Sequence, residues 1–111
     1  MTYEPWSVVV VPFPFVDRRQ TKRRPAVVLS PTGFQEGHGC AVLGMITDAR
    51  WPSDVLIGDV AAAGLEFASV FRCKLFTLDS RFVLARIGGL VRSDCSAVAA
   101  VLRSALATSR L

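Results

Sequence analysis

The sequence predicts a mostly β fold, a small and strongly curved sheet or barrel closed by one C-terminal helix. Short runs of Val, Phe, Ile and Leu recur along the chain, first in Val8–Phe15 and last in Phe82–Ile87. Glycine and proline punctuate them at Pro31–Gly33, Gly58–Gly64 and Gly88–Gly89. Only the stretch after Gly89 carries an apolar stripe at helical spacing. With 111 residues, 51% of them apolar, the chain reads as one folded domain spanning 1–111. It contains no repeat, linker or low-complexity segment.

Trp6 to Phe15 is the first strand. Both of its alternating sets are apolar, which predicts burial on both faces, while Pro12 and Pro14 predict an edge or a bend. At least one of Phe13 and Phe15 belongs in the core; the other is free to face a groove and stack a base. Asp17 to Arg24 reads as a loop in which five of the seven residues from Arg18 to Arg24 are cationic. Pro25 opens the second strand, which runs to Ser30, and pushes Arg24 into an extended conformation. Ser30 to Gly33 is a turn and Gln35 to Gly39 a polar loop, with His38 an exposed bystander.

Cys40 to Thr47 is a third strand, apolar until it ends at Thr47-Asp48. Trp51 follows in a polar loop, as a stacking platform for bases, a lid on the core or a contact between copies. Asp54 to Ile57 is a short strand, and Gly58 to Gly64 a loosely specified connection. Leu65 to Arg72 alternates in its second half. Lys74–Asp79 and Phe82–Ile87 are two further strands, and Gly88-Gly89 ends the sheet. Ser93 then caps a helix with Asp94 in its first turn, and Val98, Val101, Leu102, Ala105 and Leu106 form the stripe that packs on the barrel.

The formal charge of +4 is modest but concentrated before the second strand. That points to a polyanion such as a nucleic acid, or to an acidic protein covering the same surface. The longest apolar run, Val8 to Val16, is too short to span a membrane, and the N-terminus lacks the order of a signal peptide, so the cytoplasm is the expected compartment. Cys40, Cys73 and Cys95 form no CxxC pair and read as reduced thiols. No paired histidines, metal-ligand spacing, P-loop or GxSxG is present, which disfavours metal-dependent hydrolysis and ATP use; no cofactor is expected.

VVVVPFPF at 8–15, KRRPAVVLS at 22–30, Ile46-Thr47, and SVFRCKLFTLD at 69–79 together resemble the MazF/PemK family of toxin endoribonucleases, in order and spacing over most of the chain. The resemblance implies an SH3-like barrel of the CcdB/MazF type, usually a homodimer whose interface forms an RNA groove. It implies the toxin of a type II toxin–antitoxin system, a metal-independent, sequence-specific endoribonuclease acting on single-stranded messenger RNA and held inactive by a cognate antitoxin. The family's cleavage residues map onto Arg24 and Thr47, and the products would be 2′,3′-cyclic phosphate and 5′-OH ends.

The residue chemistry agrees with that mapping. RNA carries its own nucleophile, so an enzyme need only hold the phosphate, stabilise negative charge and manage two protons. Arg24 offers a planar charged fork and Thr47 a hydroxyl donor. Asp17, Asp48 or an activated water could take the 2′-OH proton. Lys22, Arg23 and Arg19 would bind flanking phosphates, with Phe15, Trp51 and Asp48 completing the expected RNA surface. Three departures stand out: Pro5-Trp6-Ser7 replaces a glycine before the first strand, Ala68 a common proline, and no acid lies near Cys73-Lys74. The alternative is a non-catalytic protein on the same fold, a CcdB-like inhibitor of a target such as gyrase or a nucleic-acid binder.

Overall fold

The computed structural model describes residues 1–13, 22–48 and 50–110. Six strands form one antiparallel sheet: β1 (Ser7–Phe13), β2 (Lys22–Val28), β3 (Cys40–Thr47), β4 (Val55–Leu56), β5 (Val70–Asp79) and β6 (Ala85–Gly89). Their order across the sheet is β4-β5-β3-β2-β1-β6. The sheet curls into a half-barrel, with a short helix α1 (Thr32–His38) between β2 and β3 and a longer helix α2 (Arg92–Ala105) near the end. The predicted mostly β fold with one closing helix is therefore what forms.

Strand alternation sorts the core into two clusters, one on each face of the sheet. Val9, Val11, Ala26, Val28, Ala41 and Leu43 fill the first face. Val8, Val27, Ile46 and Phe71 fill the second, where Val98 and Leu102 of α2 pack on them. This is why both alternating sets of β1 are apolar. β1 itself is not an edge: β2 pairs with it from Val8 to Phe13 and β6 from Ser7 to Val10. The Val10 carbonyl accepts from Leu84 N–H on the β6 side; by alternation Pro12 faces that side too, beyond the last β6 pair, where its missing N–H leaves no ladder bond unmade.

Pro25 follows the same logic. Leu29 N–H donates to Val42 of β3, so Pro25, four residues earlier, faces β3, and the β2–β3 pairing stops at Ala26. Pro25 does not start the strand, however. Lys22, Arg23 and Arg24 already pair with Phe13, Pro12 and Val11 of β1, so the three cations are strand residues held from one side rather than loop residues.

The predicted turn and polar loop around Thr32–Gly39 are instead α1, ended by Gly39 in the left-handed conformation. A buried Gln35 anchors it: the side-chain amide donates to the carbonyls of Tyr3 (2.8 Å) and Ser30 (3.0 Å), and its Oε1 accepts from Tyr3 N–H (2.8 Å). β5 is one continuous ten-residue strand with a register shift opposite Gly44/Met45. β6 starts at Ala85, after a tight turn at Ser80–Phe82. Gly88 and Gly89 lie within it, paired with Val8 and Ser7, rather than ending the sheet; at Gly88 any side chain would strike the backbone of Ala62 and Ala63.

At α2 the predicted cap also moves. Val91 holds the cap position with no side-chain bond, and the buried Asp94 carboxylate instead accepts from Gly58 N–H (2.9 Å) and Asp59 N–H (3.0 Å), pinning the 58–64 turn to the helix. Trp6, in the stretch that replaces the family's glycine, has φ 71°, a conformation that costs a non-glycine residue about 1–2 kcal/mol. Two bonds hold it there, Trp6 N–H to Val28 O (2.7 Å) and Leu90 N–H to Trp6 O (3.0 Å). Among the described residues no helix is long and apolar enough to cross a membrane.

Candidate nucleic-acid interface

The ends of β2 and β3 carry the residues that matter. Ala26 pairs with Met45, and continuing that register by two residues sets Arg24 across from Thr47 on the same face of the sheet. Thr47 in turn pairs with Val70 of β5, and Val70 with Leu56 of β4. Arg24, Thr47, Val70 and Leu56 thus form one row across four strands. Arg23, Pro25 and Ile46 project to the other face.

A cleft of ≈ 640 Å³ at these strand ends is lined by Val10, Arg23, Pro25 and Ile46, from the face opposite that row, together with Arg24, Thr47 and Asp48. The segment 64–69, with Glu66, Phe67 and Ser69, also lines it, as do Leu84 and, from β6, Ala85 and Ile87. Ser69 Oγ–H donates to the Phe67 carbonyl (2.9 Å), which holds the segment in shape. Among the described residues Arg23 and Arg24 form no ion pair, so their charge is available to a ligand. A groove of equal volume runs along α2, lined by Trp6, Arg92, Cys95 and Arg103, and contains none of the predicted site residues.

Of those residues, Arg23, Arg24, Thr47 and Asp48 are brought together. Lys22 is exposed at the start of β2 and does not line the cleft. Phe15 and Arg19 lie outside the described residues, as do Pro14, Asp17, Arg18 and the Phe13 side chain. Trp51 is 63% exposed and stands outside the cleft, with the Arg72 guanidinium 4.1 Å from its ring centroid. Arg72 is bound in a fork to Asp54, Nε to Oδ1 at 3.1 Å and Nη2 to Oδ2 at 2.8 Å. That guanidinium holds the Asp54 carboxyl below the ordinary carboxylate range, and the carboxylate raises Arg72.

Sequence reasoning did not anticipate Glu66 and Phe67 in the lining of the cleft, or the Asp54–Arg72 pair. The pair had one signal: an arginine alternating with apolar residues in a strand needs a nearby counter-charge. Glu66 and Phe67 had none, since only the fold brings their segment to the cleft. Among the described residues no three His, Cys, Asp or Glu side chains gather closely enough to hold a metal ion.

Comparison with known proteins agrees with this architecture. The solved MazE–MazF complex of Deinococcus radiodurans (form II) is similar over 97% of this chain and 98% of its own, at 23% identity and a TM-score of 0.78. MazF of the same organism (form I) is similar over 97% and 99%, also at 23% identity, with a TM-score of 0.76. An endoribonuclease in complex with its cognate antitoxin, from Mycobacterial species, is similar over 93% and 91% at 12% identity and a TM-score of 0.74. At these identities the likeness establishes the SH3-like, CcdB/MazF-type fold. No curated protein sequence matches the chain. The family model described as PemK-like, MazF-like toxin of type II toxin–antitoxin system matches residues 4–106, and the chain belongs to that family.

Proposed function

We propose that the protein is a metal-independent endoribonuclease that cuts single-stranded messenger RNA at a short sequence motif. The observation that carries this reading is that Arg24, Thr47 and Asp48 line one cleft. In the proposed reaction the 2′ oxygen attacks the adjacent phosphorus while Asp48 takes its proton. The bond to the 5′ oxygen breaks, a 2′,3′-cyclic phosphate forms, and the departing oxygen picks up a proton from solvent. Arg24 presents its fork to the non-bridging oxygens, where negative charge grows, and the Thr47 hydroxyl donates to the same group. An arginine stays protonated at neutral pH, so it has no free lone pair with which to accept the proton. Arg23, Lys22 and Arg19 hold flanking phosphates, and Phe15 contributes a stacking surface.

The protein would act in the cytoplasm as a homodimer, inhibited by a cognate antitoxin. Antitoxin control is supported by the family and by the antitoxin-bound neighbours. The half-apolar cleft, with Phe67, Leu84 and Ile87 beside its two arginines, suits an acidic segment carrying apolar side chains. The test is incubation of wild-type and Arg24→Ala protein with a long single-stranded RNA in EDTA, followed by mapping of the fragment ends. Wild type should cut at a recurring motif and leave cyclic phosphates; Arg24→Ala, folded but inert, should not. Absence of cutting by folded wild type would instead favour a CcdB-like, non-catalytic binding protein.

A further inference from the structure

We infer that Trp51 is a preorganised stacking platform for one base next to the scissile phosphate, held in place by Asp54 and Arg72; this rests on the ribonuclease reading above. The argument starts from the sheet register. Met45 pairs with Arg72 and Thr47 with Val70, so Arg72 rises from the same face as Thr47 and Arg24, as its diagonal neighbour at about 7–8 Å. Trp51 stacks on that guanidinium. The indole therefore stands on the face that carries the two proposed cleavage residues, one strand over from Thr47.

Trp51 is also fixed at a position where an exposed aromatic would otherwise be mobile. Its backbone N–H donates to Asp54 Oδ2 (2.7 Å), and Asp54 N–H returns to the Trp51 carbonyl (3.0 Å), closing a tight turn across Pro52-Ser53. The same Asp54 carboxylate grips Arg72 from the side, and the two side chains are only 3% and 15% exposed. One carboxylate thus sets both the loop and the cation beneath the ring. An indole 63% exposed yet held this way gives up little freedom when a base settles on its open surface.

The experiment uses a short single-stranded RNA containing the cut motif, with a 2′-deoxy sugar at the cleaved position, so that binding is read without cutting. Trp51→Ala should weaken its affinity roughly 5- to 150-fold, as expected for the loss of one base–aromatic stack, and Trp51→Phe should restore most of it. An abasic nucleotide at one position flanking the cut should weaken wild type by a similar factor and leave Trp51→Ala unaffected. Unchanged affinity in Trp51→Ala while wild type cuts RNA would overturn the stacking role and leave the ribonuclease reading intact. So would equal losses in both proteins at every abasic position, or an altered oligomeric state with unaltered affinity, which would mark Trp51 as a contact between copies. If wild type neither binds nor cuts RNA, both readings fall.

Discussion

In the proposed chemistry Arg24 and Thr47 meet the reacting phosphate and Lys22 a flanking one, and substitutions should separate these roles. Thr47 lines the cleft together with Arg24. Thr47→Ala should lower the single-turnover cleavage rate about 10²- to 10³-fold, the usual effect of removing one donor to a developing oxyanion, with little change in RNA affinity. A rate within threefold of wild type, on the order of 0.6 kcal/mol, would remove Thr47 from the mechanism. Lys22 does not line the cleft. Lys22→Ala should leave the rate at saturating RNA intact and make the slope of log affinity against log salt shallower by about 0.7, the contribution of one single-strand phosphate contact. An unchanged slope would show that Lys22 touches no phosphate. At this scale much of the site was readable: a cation fixed before Pro25 and a hydroxyl where a strand meets a loop are local features. Trp51 was readable as unusual but not as to role, because its support comes from Arg72, 21 positions later in the chain.

Among the elements, α2 shows how a helix signal can be right in kind and wrong in use. Ser93-Asp94 marks a helix start, yet the Asp94 carboxylate bonds the 58–59 backbone instead of its own first turn. Asp94→Ala should therefore destabilise the fold by about 1.5–3 kcal/mol, the range for hydrogen bonds to a charged group, and Asp94→Asn, keeping one acceptor, by less. Urea unfolding reads this directly. A midpoint equal to wild type for Asp94→Ala would mean that water replaces the carboxylate without loss. α1 was missed for a related reason. Seven residues with two glycines are too few and too weak to announce a helix, and its anchor, Gln35, bonds Tyr3, which precedes the first strand 32 positions away. β3, by contrast, was legible to the residue, since a run from Cys40 to Thr47 buried on alternate faces needs no distant information to be apolar.

For the whole molecule, strand order was the part that sequence could not supply. β6 closes against β1 although residues 14–84 separate them, and that pairing turns a proline-bearing first strand into an interior one. The same long-range assembly puts Asp54, beside the two-residue β4, against Arg72 of β5, and this coupling should set the acid response of the fold. Arg72 depresses the Asp54 carboxyl, and Arg81 does the same for Asp79. A carboxylate with a folded pKa below its unfolded value contributes stability that is fully present above the unfolded value, near pH 4, and is lost as pH falls through the folded one. The Asp79–Arg81 pair lies on the surface, with side chains 39% and 79% exposed, so solvent screening leaves it little weight. Asp54 is the larger contributor because its side chain is nearly enclosed. Melting temperatures of wild type and Asp54→Asn should therefore differ most between pH 5 and 7 and begin to converge only as pH falls below about 4, whereas wild type and Asp79→Asn should stay close throughout. A gap between wild type and Asp54→Asn that persists undiminished into strong acid would mean that Asp54 acts through its shape and hydrogen bonds, not its charge, and that the Trp51 loop stands without the ion pair beneath it.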